Sequence, residues 1–448
     1  MNVQSANWHV FKALDRFFLF DVLSNSLFQL EEPVFNYLSG KPVSPELRPQ
    51  IEADLDELRS GGYLATESLA EPALTREPVL KALCLNVSHD CNLRCRYCFA
   101  GTGSFGGVRE EMSAAVGKAA IDLLLHESGD RRQLEVDFFG GEPLLNFEVV
   151  KELVAYGREA SFRVNKAIHF TLTTNGVRLD PTVRDFLNRE GISLVLSLDG
   201  RPEVNDGMRG KGSYERVLPN FLALVSERNH QNYYLRGTFT ARNLDFTEDV
   251  RHFYDLGFRE LSLEPVVDRD GDFRLTEADL PRITAEYDRL AAYYLEKRSQ
   301  GQGFRFFHFE IALEHGPCLP KRLTGCGAGF DYLAVTPSGE LYPCHQFVGR
   351  GNYRMGDVFS GVERIDLRKN FGEATLYKKE GCAGCWSRFY CSGGCHANAE
   401  LLNGSIYQPD KLGCAMQQKR LELALALKGI AICDNGMKEA EPEKSEFR

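Results

Sequence analysis

The cysteines constrain this chain more than any other feature. Thirteen of them fall into two groups, one at 84, 91, 95 and 98 and one at 318, 326, 344, 382, 385, 391, 395, 414 and 433. None lies between 99 and 317. In a reducing compartment, clustered thiols point to metal sites more than to disulfides. A segment pinned by ligands does not need a large core. The stretch from about 316 to 415, rich in cysteine and glycine with little regular periodicity, is expected to be such a segment.

The rest reads as ordinary globular protein, 43% hydrophobic and 26% charged. A net charge of -10 disfavours a general nucleic-acid binder, which needs a basic face for phosphates. The first residues show no basic region followed by an apolar core, so no signal peptide is expected. No apolar run approaches the ~18 to 20 residues of a membrane span. The expectation is a soluble, cytoplasmic protein with no membrane partner.

Residues 8–30 break at Asp15-Arg16 and at Ser24-Asn25-Ser26, which predicts three short antiparallel strands. Helical stretches follow around 31–39 and 45–60, the second stopped by Gly61-Gly62. Residues 1–65 thus form a small β-then-α module, and 66–80 suit a linker. From 81 to 275, apolar runs at 82–88, 134–139, 168–173, 193–198, 233–240 and 260–265 alternate with amphipathic stretches. That alternation predicts an α/β fold with a parallel sheet. Six units are too few for an eightfold barrel and suit a partial (β/α)6 barrel. Such folds place chemistry after the C-terminal ends of strands. A helical bridge is expected over 276–315, a cysteine-rich domain over 316–433, and a charged, disordered tail over 434–448.

Cys91, Cys95 and Cys98 form a CxxxCxxC loop just after the first of these strands. Three thiolates that close can hold three irons of a [4Fe–4S] cube and leave the fourth iron open. A zinc site with His89 as fourth ligand, or unrelated thiols, are the alternatives on spacing alone. The loop, with Tyr97 before its last cysteine, resembles the signature of the radical S-adenosylmethionine (SAM) superfamily. Phe139-Gly140-Gly141-Glu142-Pro143, Thr173-Thr174-Asn175-Gly176 and Ser197-Leu198-Asp199-Gly200 follow the next three strands in the order that family shows. The resemblance implies that SAM chelates the open iron and yields a 5′-deoxyadenosyl radical. It implies that Glu142 accepts a hydrogen bond from the methionyl ammonium and that Gly140 and Gly141 allow close backbone approach to a ligand. It further implies that Ser197 touches the ribose, Asn175 shapes the pocket, Arg209 meets the methionyl carboxylate, and backbone near Leu263 faces the adenine.

The second group has the spacing Cys382-x2-Cys385-x5-Cys391-x3-Cys395-x18-Cys414, with Cys326 and Cys344 upstream. A pair of zinc ribbons is one reading. The spacing closely resembles the SPASM domain of peptide-modifying radical enzymes, which implies two auxiliary [4Fe–4S] clusters and three clusters in all. By that resemblance Cys318, Cys326, Cys344 and Cys395 ligate the first auxiliary cluster, and Cys382, Cys385, Cys391 and Cys414 the second. Cys84 and Cys433 are left over. If Cys318 is not a ligand, the first auxiliary cluster has an open iron that a substrate thiolate could occupy.

The N-terminal module resembles the winged-helix-like leader reader of ribosomal-peptide maturases, which pairs a strand with a peptide by β-augmentation. A plain cap on the barrel is the other reading. The whole order resembles thioether-forming maturases, including those of cysteine-rich peptides and of quinohemoprotein amine dehydrogenase. Anaerobic sulfatase maturases carry a catalytic aspartate where this chain has His345, which argues against a formylglycine-forming role. The resemblance implies a cysteine-containing peptide or protein substrate and an electron donor such as flavodoxin or ferredoxin. Another peptide crosslink or oxidation, and a non-catalytic electron carrier, are the competing functions.

Overall fold

Alternating apolar residues from Trp8 onward form an antiparallel sheet of β1 (Trp8–Ala13), β2 (Arg16–Asp21) and β3 (Ser26–Leu30). The computed structural model describes residues 7–65, 71, 77–314 and 318–435. Leu14 and Asp15 turn the first hairpin with φ of +50° and +58°. Positive φ at both central residues matches the right-handed twist of the flanking strands. The helices Glu32–Leu38 and Arg48–Ser60 follow, as expected. Trp8, Leu19, Leu38, Ile51, Leu55 and Leu64 make the shared core, each burial contributing about 1.5–3 kcal/mol.

These elements belong to one of two units, comprising 1–75, 276–325 and 374–448. The helix Leu280–Ser299 lies within the stretch expected as a bridge. The helix Lys411–Asn435 packs against it and against β1 and β3. A Cβ at Gly429 would lie 3.0 Å from Leu27 and 3.1 Å from Phe18, so this glycine lets helix and sheet approach closely. Most of the expected linker, and the tail from 436 onward, lie outside the described residues.

The other unit comprises 76–275 and 326–373. Its parallel strands are β4 (Ala82–Ser88), β5 (Gln133–Gly140), β6 (Ala167–Thr174), β7 (Ser193–Ser197), β8 (Tyr233–Phe239) and β9 (Glu260–Pro265). Past β4 the sheet continues through β10 (Tyr332–Val335), β11 (Glu340–Tyr342), β12 (Gly356–Asp357) and β13 (Gly361–Val362). The order is β9-β8-β7-β6-β5-β4-β10-β11-β12-β13. β10 joins β4 in parallel and the rest are antiparallel. Regular structure therefore enters the region expected to hold little, because Tyr332–Val335 supplies an apolar run that a strand can bury.

Side chains alternate across each strand. In β5, Leu134, Val136 and Phe138 are fully buried, while Glu135, Asp137 and Phe139 are half-buried on the opposite face. Ser113 caps the helix Ala114–Glu127 by accepting from Val116 N at 3.3 Å. Asp180 caps Pro181–Arg189 in the same way at 3.1 Å. Among the described residues no helix is long and apolar enough to cross a membrane.

Candidate active site

The C-terminal ends of β4 to β7 bring the motifs together. Cys91, Cys95 and Cys98 follow β4, and Gly140-Gly141-Glu142 ends β5. A Cβ at Gly140 (φ +126°) would lie 2.3 Å from Ser88 O, and one at Gly141 would lie 2.1 Å from Asp90 O. The close approach these glycines permit is thus to the backbone leading into the cysteine loop. Gly141 N donates to Ser88 O at 2.8 Å and Glu142 N to Asp90 O at 2.9 Å, which fastens the two strand ends together.

Glu142 is 1% exposed. Its Oε1 accepts from Thr174 Oγ1 at 2.8 Å and Leu144 N at 3.1 Å, and its Oε2 from Asn175 N at 2.8 Å. Burial raises its pKa to about 7 against these donors. An ammonium brought to such a group meets a fixed, poorly solvated acceptor that gains from a cation. Asn175 Nδ2 reaches Asn92 Oδ1 at 2.8 Å and Cys91 Sγ at 3.6 Å, so the end of β6 is tied to the cysteine loop.

A network not anticipated from sequence lies beside Cys95. Arg209 forks onto Asp199 through Nε at 2.9 Å and Nη2 at 2.8 Å. Tyr97 donates its hydroxyl to the same carboxylate at 2.7–2.8 Å, and Thr238 N adds a bond at 3.1 Å. Arg209 is therefore held by Asp199, and this fork leaves its Nη1 for a further acceptor. Asp199 stood inside a motif already noted and Arg209 was singled out alone, but their pairing, between the segment after β7 and the end of the helix Pro202–Arg209, is one that no linear pattern shows. Ser197 ends β7 opposite Arg236, and Leu263 is buried in β9 opposite Gly237. His89 lies on Phe105, ring centroids 4.9 Å apart, and burial lowers its pKa to about 4.

Burial raises Cys91 to about 11 and raises Cys95, and Cys91 senses Cys95, Cys98 and Glu142. In the other unit Cys382, Cys385, Cys391 and Cys414 influence one another. Burial pushes Cys382 up to about 11 and Cys414 up to about 12. Neutral thiols are what such sites hold without a ligand, and a bound metal deprotonates them outright. Among the described residues no three His, Cys, Asp or Glu side chains converge as ligands of a single ion. A cube takes one thiolate at each iron corner, so by residue type and mutual closeness the four-cysteine set could fill all four irons and the three-cysteine set three of them, with the fourth left open.

The remaining cysteines divide between the units. Cys326 is exposed and Cys344 is buried in one; Cys318 and Cys395 are exposed in the other. Cys84 is buried in β4, and Cys433 is exposed on the C-terminal helix. His345 packs on Phe139 and Phe99 at centroid distances of 4.8 and 5.5 Å. Its buried Nδ1 has no hydrogen-bond partner. Burial lowers its pKa to about 4, so the imidazole stays neutral near pH 7.

Residues 85–237 match the model of the radical SAM superfamily, so the chain carries a radical SAM domain. The chain is 29% identical to the mycofactocin maturase MftC of Mycolicibacterium smegmatis over 339 residues, 72% of this chain and 80% of that one. It is 22% identical to the radical SAM cyclopropyl synthase TigE of Paramaledivibacter caminithermalis over 359 residues, 75% and 72% of the two chains. The solved structure of native anSMEcpe with bound AdoMet and Cp18Cys peptide shares the fold. Its TM-score is 0.66 at 21% identity, covering 80% of this chain and 100% of that one.

Proposed function

We propose that this chain is a cytoplasmic radical SAM maturase that links a cysteine sulfur to a carbon of a ribosomally made peptide or protein subunit. The observation that carries the proposal is the presence of two separate thiol sets. Cys91, Cys95 and Cys98 stand beside a buried carboxylate, Glu142, and a buried guanidinium, Arg209. This pairing of charges suits the ammonium and carboxylate of SAM. Cys382, Cys385, Cys391 and Cys414 supply four ligands and suit a closed auxiliary cluster. By the resemblance to a SPASM domain, Cys318, Cys326, Cys344 and Cys395 would hold a second one.

When bound, the cluster and SAM supply a radical that removes a hydrogen atom from the peptide. This chain's residues hold and shield. Glu142 anchors the ammonium, and Asp199 fixes Arg209 for the carboxylate. Asn175 fixes the cysteine loop, and Ser197 and the backbone at Leu263 line the nucleoside side. Joining S–H and C–H into S–C releases one hydrogen atom to the radical, one proton and one electron, so a one-electron acceptor is required.

The winged-helix-like module is the leader reader in this account. β3 is one of the two edges of its sheet. A groove of about 330 Å³ runs beside it, lined by Phe18, Leu27, Phe28, Tyr63, Leu313 and Ile432. An edge strand with an apolar groove suits an extended peptide. A relative named as a mycofactocin maturase, and a neighbour solved with a bound peptide, support a peptide substrate.

The test is anaerobic turnover, with a flavodoxin or ferredoxin as donor, of any cysteine-containing peptide encoded beside the gene. A product that has lost two hydrogen atoms and one alkylatable thiol is expected. A modified product with every thiol still alkylatable favours a different peptide modification, the second reading that the name of the cyclopropyl synthase relative keeps open.

A further inference from the structure

We infer that Lys379 tunes the reduction potential of the cluster held by Cys382, Cys385, Cys391 and Cys414, keeping it more positive than the thiolates alone would. The inference rests on that cluster assignment. Lys379 is 3% exposed, an unusual place for an ammonium. Its Nζ donates to Gly393 O at 2.9 Å and to Gly394 O at 3.5 Å. Both carbonyls lie in the turn between Cys391 and Cys395. A Cβ at Gly393 would come within 2.7 Å of the lysine stem, so the glycine is what admits the side chain. The ammonium is thereby clamped into the ligand loop itself.

Burying a cation is costly unless negative charge is close. The two carbonyls satisfy hydrogen bonds, and the four thiolates supply charge. Arg388 is 4% exposed and donates to Cys385 O at 3.1 Å. Gln418 Nε2 donates to Cys385 Sγ at 3.3 Å. A cube with four thiolates carries net negative charge in both states and one more when reduced. A fixed buried cation therefore favours the reduced state, as do hydrogen bonds to the sulfurs. The result is a better acceptor for the electron that S–C bond formation releases.

The test needs no peptide. The full chain carrying Cys91, Cys95 and Cys98→Ala, which removes the catalytic cluster's signal, is reconstituted anaerobically as the parent. Lys379→Met, Lys379→Gln and Lys379→Arg are made in it. Iron content and redox titrations followed by electron paramagnetic resonance are measured. Expected are unchanged iron, a midpoint shifted negative for one cluster in the Met and Gln variants, and recovery toward the parent in the Arg variant. If the Met variant alone loses iron, the Gln variant decides, since it retains a donor for the carbonyls without the charge. Unmoved potentials with intact iron overturn the tuning alone. Loss of iron in both neutral variants also overturns it and leaves Lys379 an anchor of the loop. A parent holding no iron, with zinc in its place, overturns the cluster assignment, and the tuning with it.

Discussion

The loop Cys91–Cys98 and the segment Cys382–Cys414 both gather thiols, yet their surroundings differ in charge. Near the first stand two buried carboxylates, Glu142 and Asp199, and one buried guanidinium, Arg209. Near the second stand two buried cations, Lys379 and Arg388, and an amide donor, Gln418. Three thiols leave a position for a zwitterion, and a zwitterion needs both signs of charge around it. Four thiols close a cluster, and a closed anionic cluster needs only compensation. The difference marks one site as built to receive a ligand and the other as built to hold an electron.

Removing ligands breaks the comparison most severely. Alanine at Cys91, Cys95 and Cys98 is expected to reduce 5′-deoxyadenosine formation to background. Alanine at Cys382, Cys385, Cys391 and Cys414 is expected to leave measurable deoxyadenosine while abolishing crosslinked product. Chromatography of both products on the two variants checks this. The account fails if the second variant also loses all SAM cleavage while keeping the iron of the first site.

Asp199→Asn comes next. It leaves the Arg209 guanidinium, its side chain only 10% exposed, without its counter-charge. A loss of about 3–5 kcal/mol in unfolding free energy is expected, read as a lower denaturant midpoint. A change smaller than about 1 kcal/mol contradicts the role given to the pair.

A smaller effect sharpens the ligand-receiving character of the first site. The Glu142 carboxyl, raised to about 7 by burial, is mostly protonated below that pH. An ammonium pairs with the carboxylate, so SAM affinity should fall as pH drops through about 7, approaching tenfold per pH unit well below it. Equilibrium dialysis between about pH 6 and 8 measures it, and Glu142→Gln should weaken binding and flatten the dependence.

The smallest effect belongs to Gln418→Leu. It removes one N–H···S bond and should shift the auxiliary potential negative by less than Lys379→Met does. A larger shift than the lysine variant gives would reverse the ranking of charge over hydrogen bonding.

Much of this was legible in the sequence because it is local. The runs for β4 to β9 and the motifs that follow them are contiguous, so period and spacing reveal them. Lys411–Asn435 was not read as a helix. Leu421, Leu423, Ala424, Leu425, Ala426 and Leu427 are buried on several sides, which erases the one-sided stripe that marks an amphipathic helix. The helices Pro181–Arg189 and Pro202–Arg209 also escaped, being little more than two turns each. At the site, cysteines and glycines stood out singly. The Tyr97–Asp199–Arg209 network and the Lys379 clamp did not, because each depends on residues brought together only by the fold. Gly140 and Gly141 also have a reason the motif did not show, since their missing Cβ atoms make room for Ser88 and Asp90.

The most direct test of the two-site account is iron and acid-labile sulfide per chain after anaerobic reconstitution. About twelve irons in the wild type, falling to about eight when Cys91, Cys95 and Cys98 are alanine, is the expected result. About four irons or fewer in the wild type, with zinc bound in their place, would contradict it and make the C-terminal cysteines a zinc fold.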